Sequence, residues 1–208
     1  MRIRAWANLG FAVASLAWLS GQPAASAKGA SVGQEAPEFV LADSSNTMRS
    51  LSEFRGKFVV LEWVNPECPF VQKHYNKSGN MPKLQQWAAS QGVVWLSINS
   101  SASGKQGHLE LDTAGAWKAQ VHSAATAILL DPDGKVGRQY DAKTTPQVFL
   151  INPEGKVLYN GAIDNVPSTD PADINGAHNY VRSAIEEAMT GKPVSVATSQ
   201  PYGCSVKY

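Results

Sequence analysis

Residues 58–64 (FVVLEWV) are apolar at every position except Glu62, and residues 93–98 (VVWLSI) are nearly so. Short runs without alternation predict strands buried on both faces of a sheet. Ala127 to Leu130 predicts a third such strand, closed by the turn Asp131-Pro132-Asp133-Gly134. Phe39-Val40-Leu41 predicts a short strand ahead of them. Between the strands the period changes to that of a helix. Residues 81–91 set Leu84, Trp87 and Ala88 on one face before Gly92, and residues 112–121 do the same with Ala116, Trp117 and Val121. Ser50 with Glu53 three positions on is a capping-box signal for a short helix that Gly56 stops. Residues 99–108 are rich in Ser and Gly and predict a loop. Gln147 to Ile151 and Lys156 to Tyr159 flank Asn152-Pro153-Glu154-Gly155 as a β-hairpin. Residues 176–190 predict an amphipathic helix with Ala177, Val181, Ala184, Ile185 and Ala188 inward. The alternation predicts an α/β domain with a central mixed sheet flanked by helices.

The ends of the chain differ from this core. Arg2 and Arg4 precede a nearly wholly apolar stretch from Ala5 to Leu19, and Ala25-Ser26-Ala27 is a small-x-small cleavage site. Residues 1–27 therefore read as a secretory signal, with a periplasmic or secreted destination. Residues 28–36 are small and polar and read as a linker to a domain over 37–190. Residues 191–208 read as an irregular tail. The formal charge of +1 becomes a single negative charge once Arg2 and Arg4 are removed. A near-neutral domain has no electrostatic footprint for nucleic acid or an anionic membrane surface. No apolar run of about 18 residues follows the signal, so no integral membrane segment is expected after its removal.

The chain has two cysteines, too few for a disulfide scaffold, and export would put them where a disulfide persists. The turn Asn65-Pro66-Glu67-Cys68 follows a buried strand directly, and Pro69 suits the first position of a helix. Cys68 would then be the N-cap, with backbone N–H groups facing its sulfur, a setting that favours thiolate. Glu67 opposes this as a neighbouring anion, and an inert buried cysteine is the alternative. Cys204 lies in the tail beside Gly203. It either resolves a sulfenic acid or mixed disulfide on Cys68 or forms a permanent disulfide that pins the tail. Glu62 is an acid in a strand expected to be buried. Burial would make it a proton acceptor, while pairing with Lys57 or a solvent edge would make it structural. Pro146 enters a strand and can carry a cis bond, against the more common trans form. The four histidines form no cluster with a cysteine and there is no CxxC, so neither metal nor cofactor is expected. His74 reads as a surface residue, and Trp63, Trp87, Trp95 and Trp117 as core.

Three segments carry a resemblance: RGKFVVLEWVNPECPFVQKHY, TTPQVFLINPEGKVLYNGAID and PYGCSVKY. Together they resemble the redoxins of the alkyl hydroperoxide reductase/thiol-specific antioxidant family, in its peroxiredoxin-like branch, over about residues 33–208. The resemblance implies a thioredoxin-like fold. It implies that Cys68 is the reactive cysteine and Pro146 the cis-proline facing it. The backbone of Thr145 would pair with an extended substrate, and Asn65 and Pro69 would complete the substrate side. Glu62 matches the family's buried acid, and Cys204 its tail cysteine. The chain also departs from the patterns of the proteins it resembles. Val71 stands where a CxxC motif has its second cysteine, so a cycle within that motif is impossible. Leu61 and Asn65 replace the Pro and Thr of the peroxidatic PxxxTxxC, and Gln72 replaces the second cysteine of the copper-delivery CxxxC.

Two functions are therefore expected to compete. In one, an exported thiol oxidoreductase uses Cys68 to attack a disulfide or a hydroperoxide, Cys204 resolves the product, and a protein or low-molecular-weight thiol restores the pair. In the other, the domain is a binding or assembly module and Cys68–Cys204 is a structural staple.

Overall fold

The computed structural model describes residues 29–208. The expected signal, residues 1–27, lies outside the described residues. The strands are β1 (Val40–Asp43), β2 (Met48–Ser50), β3 (Val59–Trp63), β4 (Val94–Asn99), β5 (Ala127–Leu130), β6 (Thr144–Thr145), β7 (Gln147–Ile151), β8 (Val157–Gly161) and β9 (Cys204–Ser205). The helices are α1 (Pro69–His74), α2 (Asn80–Ser90), α3 (Leu111–Gln120), α4 (Lys135–Gln139) and α5 (Tyr180–Met189). Seven strands form one mixed sheet in the order β2-β1-β5-β4-β3-β7-β8, and β6 and β9 form a separate ladder. Strands β3, β4 and β5 run parallel, while β7, β8, β1 and β2 pair antiparallel with their neighbours. The expected α/β layering is the observed one.

Strand β3 is central and every residue in it is buried, which accounts for an apolar run interrupted only at Glu62. Side chains alternate across it. Val60 and Glu62 face a layer that includes α2, α3 and α5, while Val59, Leu61 and Trp63 face the opposite layer. There, the rings of Trp63, Tyr140 and Phe149 meet with centroids 5.3–5.4 Å apart, and Trp63 Nε1 donates to Ser100 Oγ at 3.0 Å. Strand β8 buries alternate residues, as expected for a strand near the sheet edge.

Several local expectations need correction. Residues 29–36 are docked on the domain: Gly33 N donates to Val157 O, Val157 N to Gln34 O, and Ala36 N to Gly155 O, with Ala30 and Ala36 buried. Small side chains that look like a linker serve here for close approach. The turn at Asp131 leads into α4, too short to show a period. Its first turn is held by the Asp131 carboxylate, which accepts from Val136 N at 3.2 Å and Gly137 N at 2.8 Å. The last helix begins at Tyr180, capped by Asn179, so Ala177 lies outside it. In α3 the inward alanine is Ala114 and Ala116 is exposed. Trp87 is only partly buried, with the Arg182 guanidinium 4.3 Å from its ring centroid. The tail is irregular apart from β9, but it returns across the end of the sheet and buries Val206.

Candidate functional site

The site is built where β3 gives way to α1. Glu67 N donates to Asn65 Oδ1 at 2.9 Å and Cys68 N to Asn65 O at 3.0 Å, which folds the turn back on itself. Asn65 Nδ2 donates to Gln106 O at 3.0 Å, tying the turn to the Ser/Gly loop. Asn65 is buried and both ends of its amide are bonded within the chain. A side chain at Gly107 would collide with that amide, its Cβ 1.8 Å from Asn65 Oδ1. Cys68 is the N-cap of α1, with extended backbone at φ −74° and ψ 123°, and Pro69 is the first helical residue, exposed. The expectation that the sulfur faces the helix N–H groups is corrected. Cys68 makes no cap bond; its Sγ donates instead to the Thr145 carbonyl at 3.0 Å. The side chain is fully buried.

Thr145 is the meeting point. The Thr145–Pro146 bond is cis, as the family resemblance implies. The loop is held by Gln147 Oε1, which accepts from Lys143 N at 2.9 Å. The backbone of β6 pairs antiparallel with β9, Thr145 opposite Cys204 and Thr144 opposite Ser205. Gly203 packs so closely that a Cβ there would sit 2.1 Å from the Thr145 carbonyl oxygen, and its φ of +143° suits glycine. The edge that the resemblance assigns to an extended substrate is thus covered by the chain's own tail. Cys68 and Cys204, 136 positions apart in sequence, thus meet at Thr145 as free thiols, one through its sulfur and the other as the residue paired opposite. Burial, then the hydrogen bond and charge of Cys68, push the Cys204 thiol up to about 12.

Two tyrosines fasten the tail on either side of Cys204. Tyr202 OH donates to Asp164 Oδ1 at 2.5 Å, and its ring meets Phe70 edge-on at 5.7 Å. Tyr208 OH donates to Ala142 O at 2.7 Å, and its ring lies under the Arg138 guanidinium at 4.4 Å. Between them Val206 N donates to Lys143 O, and Ala102 N to Lys207 O. His74, expected on the surface, is fully buried beneath this strap. Its Nε2 lies 3.4 Å from Tyr202 OH and 3.8 Å from Asp164 Oδ2. Burial pushes its pKa below the ordinary histidine range, against the pull of Asp164. Neither Tyr202 nor Asp164 stood out in the sequence; the only available signal was the aromatic residue beside Gly203-Cys204.

Glu62 is buried, and among the described residues neither Lys57 nor any other cation pairs with it. Its Oε2 accepts from Tyr75 OH and Trp95 Nε1, both at 2.8 Å, and more weakly from Ser97 and Gln85. Its Oε1 has no partner, and none of these donors is a cysteine. Burial raises the carboxyl from 4.5 to about 7, opposed by the donated hydrogen bonds. A carboxyl raised in the fold contributes stability that is complete below pH 4.5 and lost as pH rises through about 7. Glu62→Gln keeps an acceptor for Tyr75 and Trp95 without the charge. Wild type should therefore lose stability relative to this variant between pH 4 and pH 8, by on the order of 3 kcal/mol. Denaturant unfolding of both proteins across that range checks this; a pH-independent difference would contradict it.

A mixed α/β sheet with a cysteine at a strand–helix junction, opposite a cis-proline, defines a thioredoxin-fold redoxin. The chain belongs to the AhpC/TSA family, whose profile matches residues 32–160. Cys204 and its strap lie beyond the matched residues. Among curated relatives, the chain is similar to the thiol-disulfide oxidoreductase ResA of Bacillus subtilis, 32% identical over 134 residues. That match covers 62% of this chain and 65% of the relative, so the chain spans just under two thirds of that protein. Among solved structures, a hypothetical protein from Sinorhizobium meliloti 1021 superposes with a TM-score of 0.71 at 25% identity, covering 86% of this chain and 94% of that one. A protein from Chlorobium tepidum described as a thiol:disulfide interchange protein DsbE gives 0.52 at 26% identity, covering 64% and 85%. Among the described residues no helix is long and apolar enough to cross a membrane, and no group of three His, Cys, Asp or Glu side chains is arranged to hold a metal ion.

Proposed function

We propose that this chain is an exported thiol-disulfide oxidoreductase in which Cys68 and Cys204 form one two-electron couple. The Cys68 thiolate attacks a substrate disulfide, one sulfur of the substrate leaves as thiolate, and a mixed disulfide remains. Cys204 loses its proton and attacks the Cys68 sulfur, releasing the second substrate thiolate and closing the Cys68–Cys204 bond. With a hydroperoxide, Cys68 becomes a sulfenic acid, an alcohol leaves, and condensation with Cys204 expels water. A protein or low-molecular-weight thiol then reduces the pair. Thr145 and Pro146 shape the substrate side.

The observation that carries this proposal is the convergence of both thiols on the Thr145 carbonyl loop. Disulfide exchange is favoured over peroxide chemistry because Leu61 and Asn65 replace the peroxidatic Pro and Thr. The ResA similarity points the same way. The periplasmic or secreted location rests on the signal-like residues 1–27. Wild-type protein, assayed separately with a small disulfide and a hydroperoxide, should turn over the disulfide faster. Turnover of neither, with Cys68 demonstrably reduced, would refute the proposal.

A further inference from the structure

Asp164 is a buried charge that the chain leaves half used. Its side chain is only 2% exposed, and its Oδ1 accepts from Val166 N at 2.9 Å and Tyr202 OH at 2.5 Å. Among the described residues its Oδ2 accepts no hydrogen bond; the basic nitrogen within 4 Å is His74 Nε2, at 3.8 Å. Burial lowers the His74 pKa to about 4, so near neutral pH its ring brings no charge to the carboxylate. Lys73 is buried nearby but is held elsewhere. Its Nζ donates to Val166 O at 3.1 Å and Ser168 Oγ at 3.4 Å, and Ser168 Oγ donates on to Asp173 Oδ2 at 2.5 Å. Lys73 and Asp173 offset each other through Ser168, and Asp164 remains as the excess negative charge. A carboxylate oxygen taken out of water without a donor is costly, and an incoming cation that donates to it removes that cost.

The carboxylate lines a cavity of about 260 Å³, together with Tyr180, Tyr202 and the exposed Asn165 and Gln200. That volume is below the roughly 300–1,000 Å³ of sites for drug-sized ligands and suits a single side chain. A carboxylate beside two aromatic rings recognises an ammonium or guanidinium through charge, hydrogen bond and ring face together. The cavity adjoins the reactive pair. Tyr202 is two residues before Cys204, a chain reach of at most about 7 Å, and its ring meets Phe70, two residues after Cys68, at 5.7 Å. We infer that this cavity is a subsite for a basic side chain of the substrate, so that the protein prefers disulfides in peptides with Arg or Lys a few residues from the cysteine. The inference rests on the disulfide chemistry proposed above and adds the class of substrate. Asp164 determines the preference, and Tyr202, by occupying Oδ1, leaves Oδ2 for the incoming cation.

Competing peptide disulfides test this. Reduced full-length protein is given disulfide-linked dimers of one short peptide carrying Arg, Gln or Glu two to four residues from its cysteine, at neutral pH. The Arg peptide should exceed the Glu peptide at least tenfold in kcat/KM, mostly through KM, with Gln between them. Asp164→Asn should bring the three within about twofold. Gln200→Lys, which places a cation at an exposed wall of the cavity and leaves the buried network intact, should shrink the Arg preference at least threefold. Tyr202→Phe, which removes the bond to Oδ1 but keeps the carboxylate, should retain the ranking whatever happens to the absolute rates. Equal turnover of the three peptides by wild type, or an Arg preference undiminished in Asp164→Asn or Gln200→Lys, would overturn the inference and leave the redox couple standing. If no peptide disulfide is turned over by protein with reduced Cys68, the proposed chemistry and the inference both fall.

Discussion

Cys68→Ser should reduce disulfide turnover to background, by about a thousandfold or more, while the protein stays folded. A hydroxyl is a far weaker nucleophile than a thiolate at neutral pH, and no neighbouring base is bonded to this position to compensate. The fold should tolerate the change because serine can still donate to the Thr145 carbonyl, as Cys68 does at 3.0 Å. The stability cost should stay near about 1 kcal/mol. Turnover and thermal unfolding on the same preparation separate the two effects. Cys204→Ser should differ in kind. Attack at Cys68 remains, resolution does not, and the enzyme should accumulate a substrate adduct on Cys68 visible as a mass increase. Residual turnover in Cys68→Ser above about a tenth of wild type would remove Cys68 from the chemistry.

Gly203→Val should break the strap. The residue has φ +143°, and any Cβ would lie 2.1 Å from a backbone oxygen that cannot move aside as a flexible side chain could. The strain of forcing a branched residue there is on the order of 1–3 kcal/mol, so the tail should leave β6 before accepting it. Cys204 would then reach Cys68 from a flexible tether and no longer from a paired strand. Formation of the Cys68–Cys204 disulfide should slow by about ten- to a hundredfold. Alkylation of Cys68 in the reduced protein should accelerate, because its cover is gone. Gly115→Ala is the matched control: it has open space around its Cβ direction and ordinary φ, and should leave both rates unchanged. Unchanged disulfide formation in Gly203→Val would mean that β9 does not position Cys204.

The surroundings of the two cysteines are unequally legible in the sequence. Strand β3 and the Cys68-Pro69 junction are local. A buried apolar run, a turn and a proline at the first helical position are each visible within a dozen residues, and the structure places β3 and α1 there. The sheet layering followed from the alternation of periods for the same reason. The strap is not local. Its order comes from Gly203 lying on Thr145, from Tyr202 on Asp164 and from Tyr208 on Ala142, contacts that span 38 to 66 positions in the two tyrosine bonds. No periodicity records such pairings, so residues 191–208 showed only irregularity. The same long reach hid His74. Helix α1 has six residues, too few to define a face, and its cover at Tyr202 arrives 128 positions later. The approach at 29–36 looks like a linker because small side chains suit both a solvated segment and one pressed against a sheet edge. Glu62 was legible as buried but not in its partners, since Trp95 and Gln85 meet it only through the packing of β4 and α2.

The central claim is that Cys68 and Cys204 exchange electrons in use and do not serve only as a staple. A redox titration of the full chain, read by alkylation and peptide mapping, tests it most directly. The expected result is a single two-electron transition that joins Cys68 to Cys204, with a potential above about −300 mV. A pair that stays oxidised well below about −300 mV would be a structural staple, and two cysteines that never join would exclude the couple altogether.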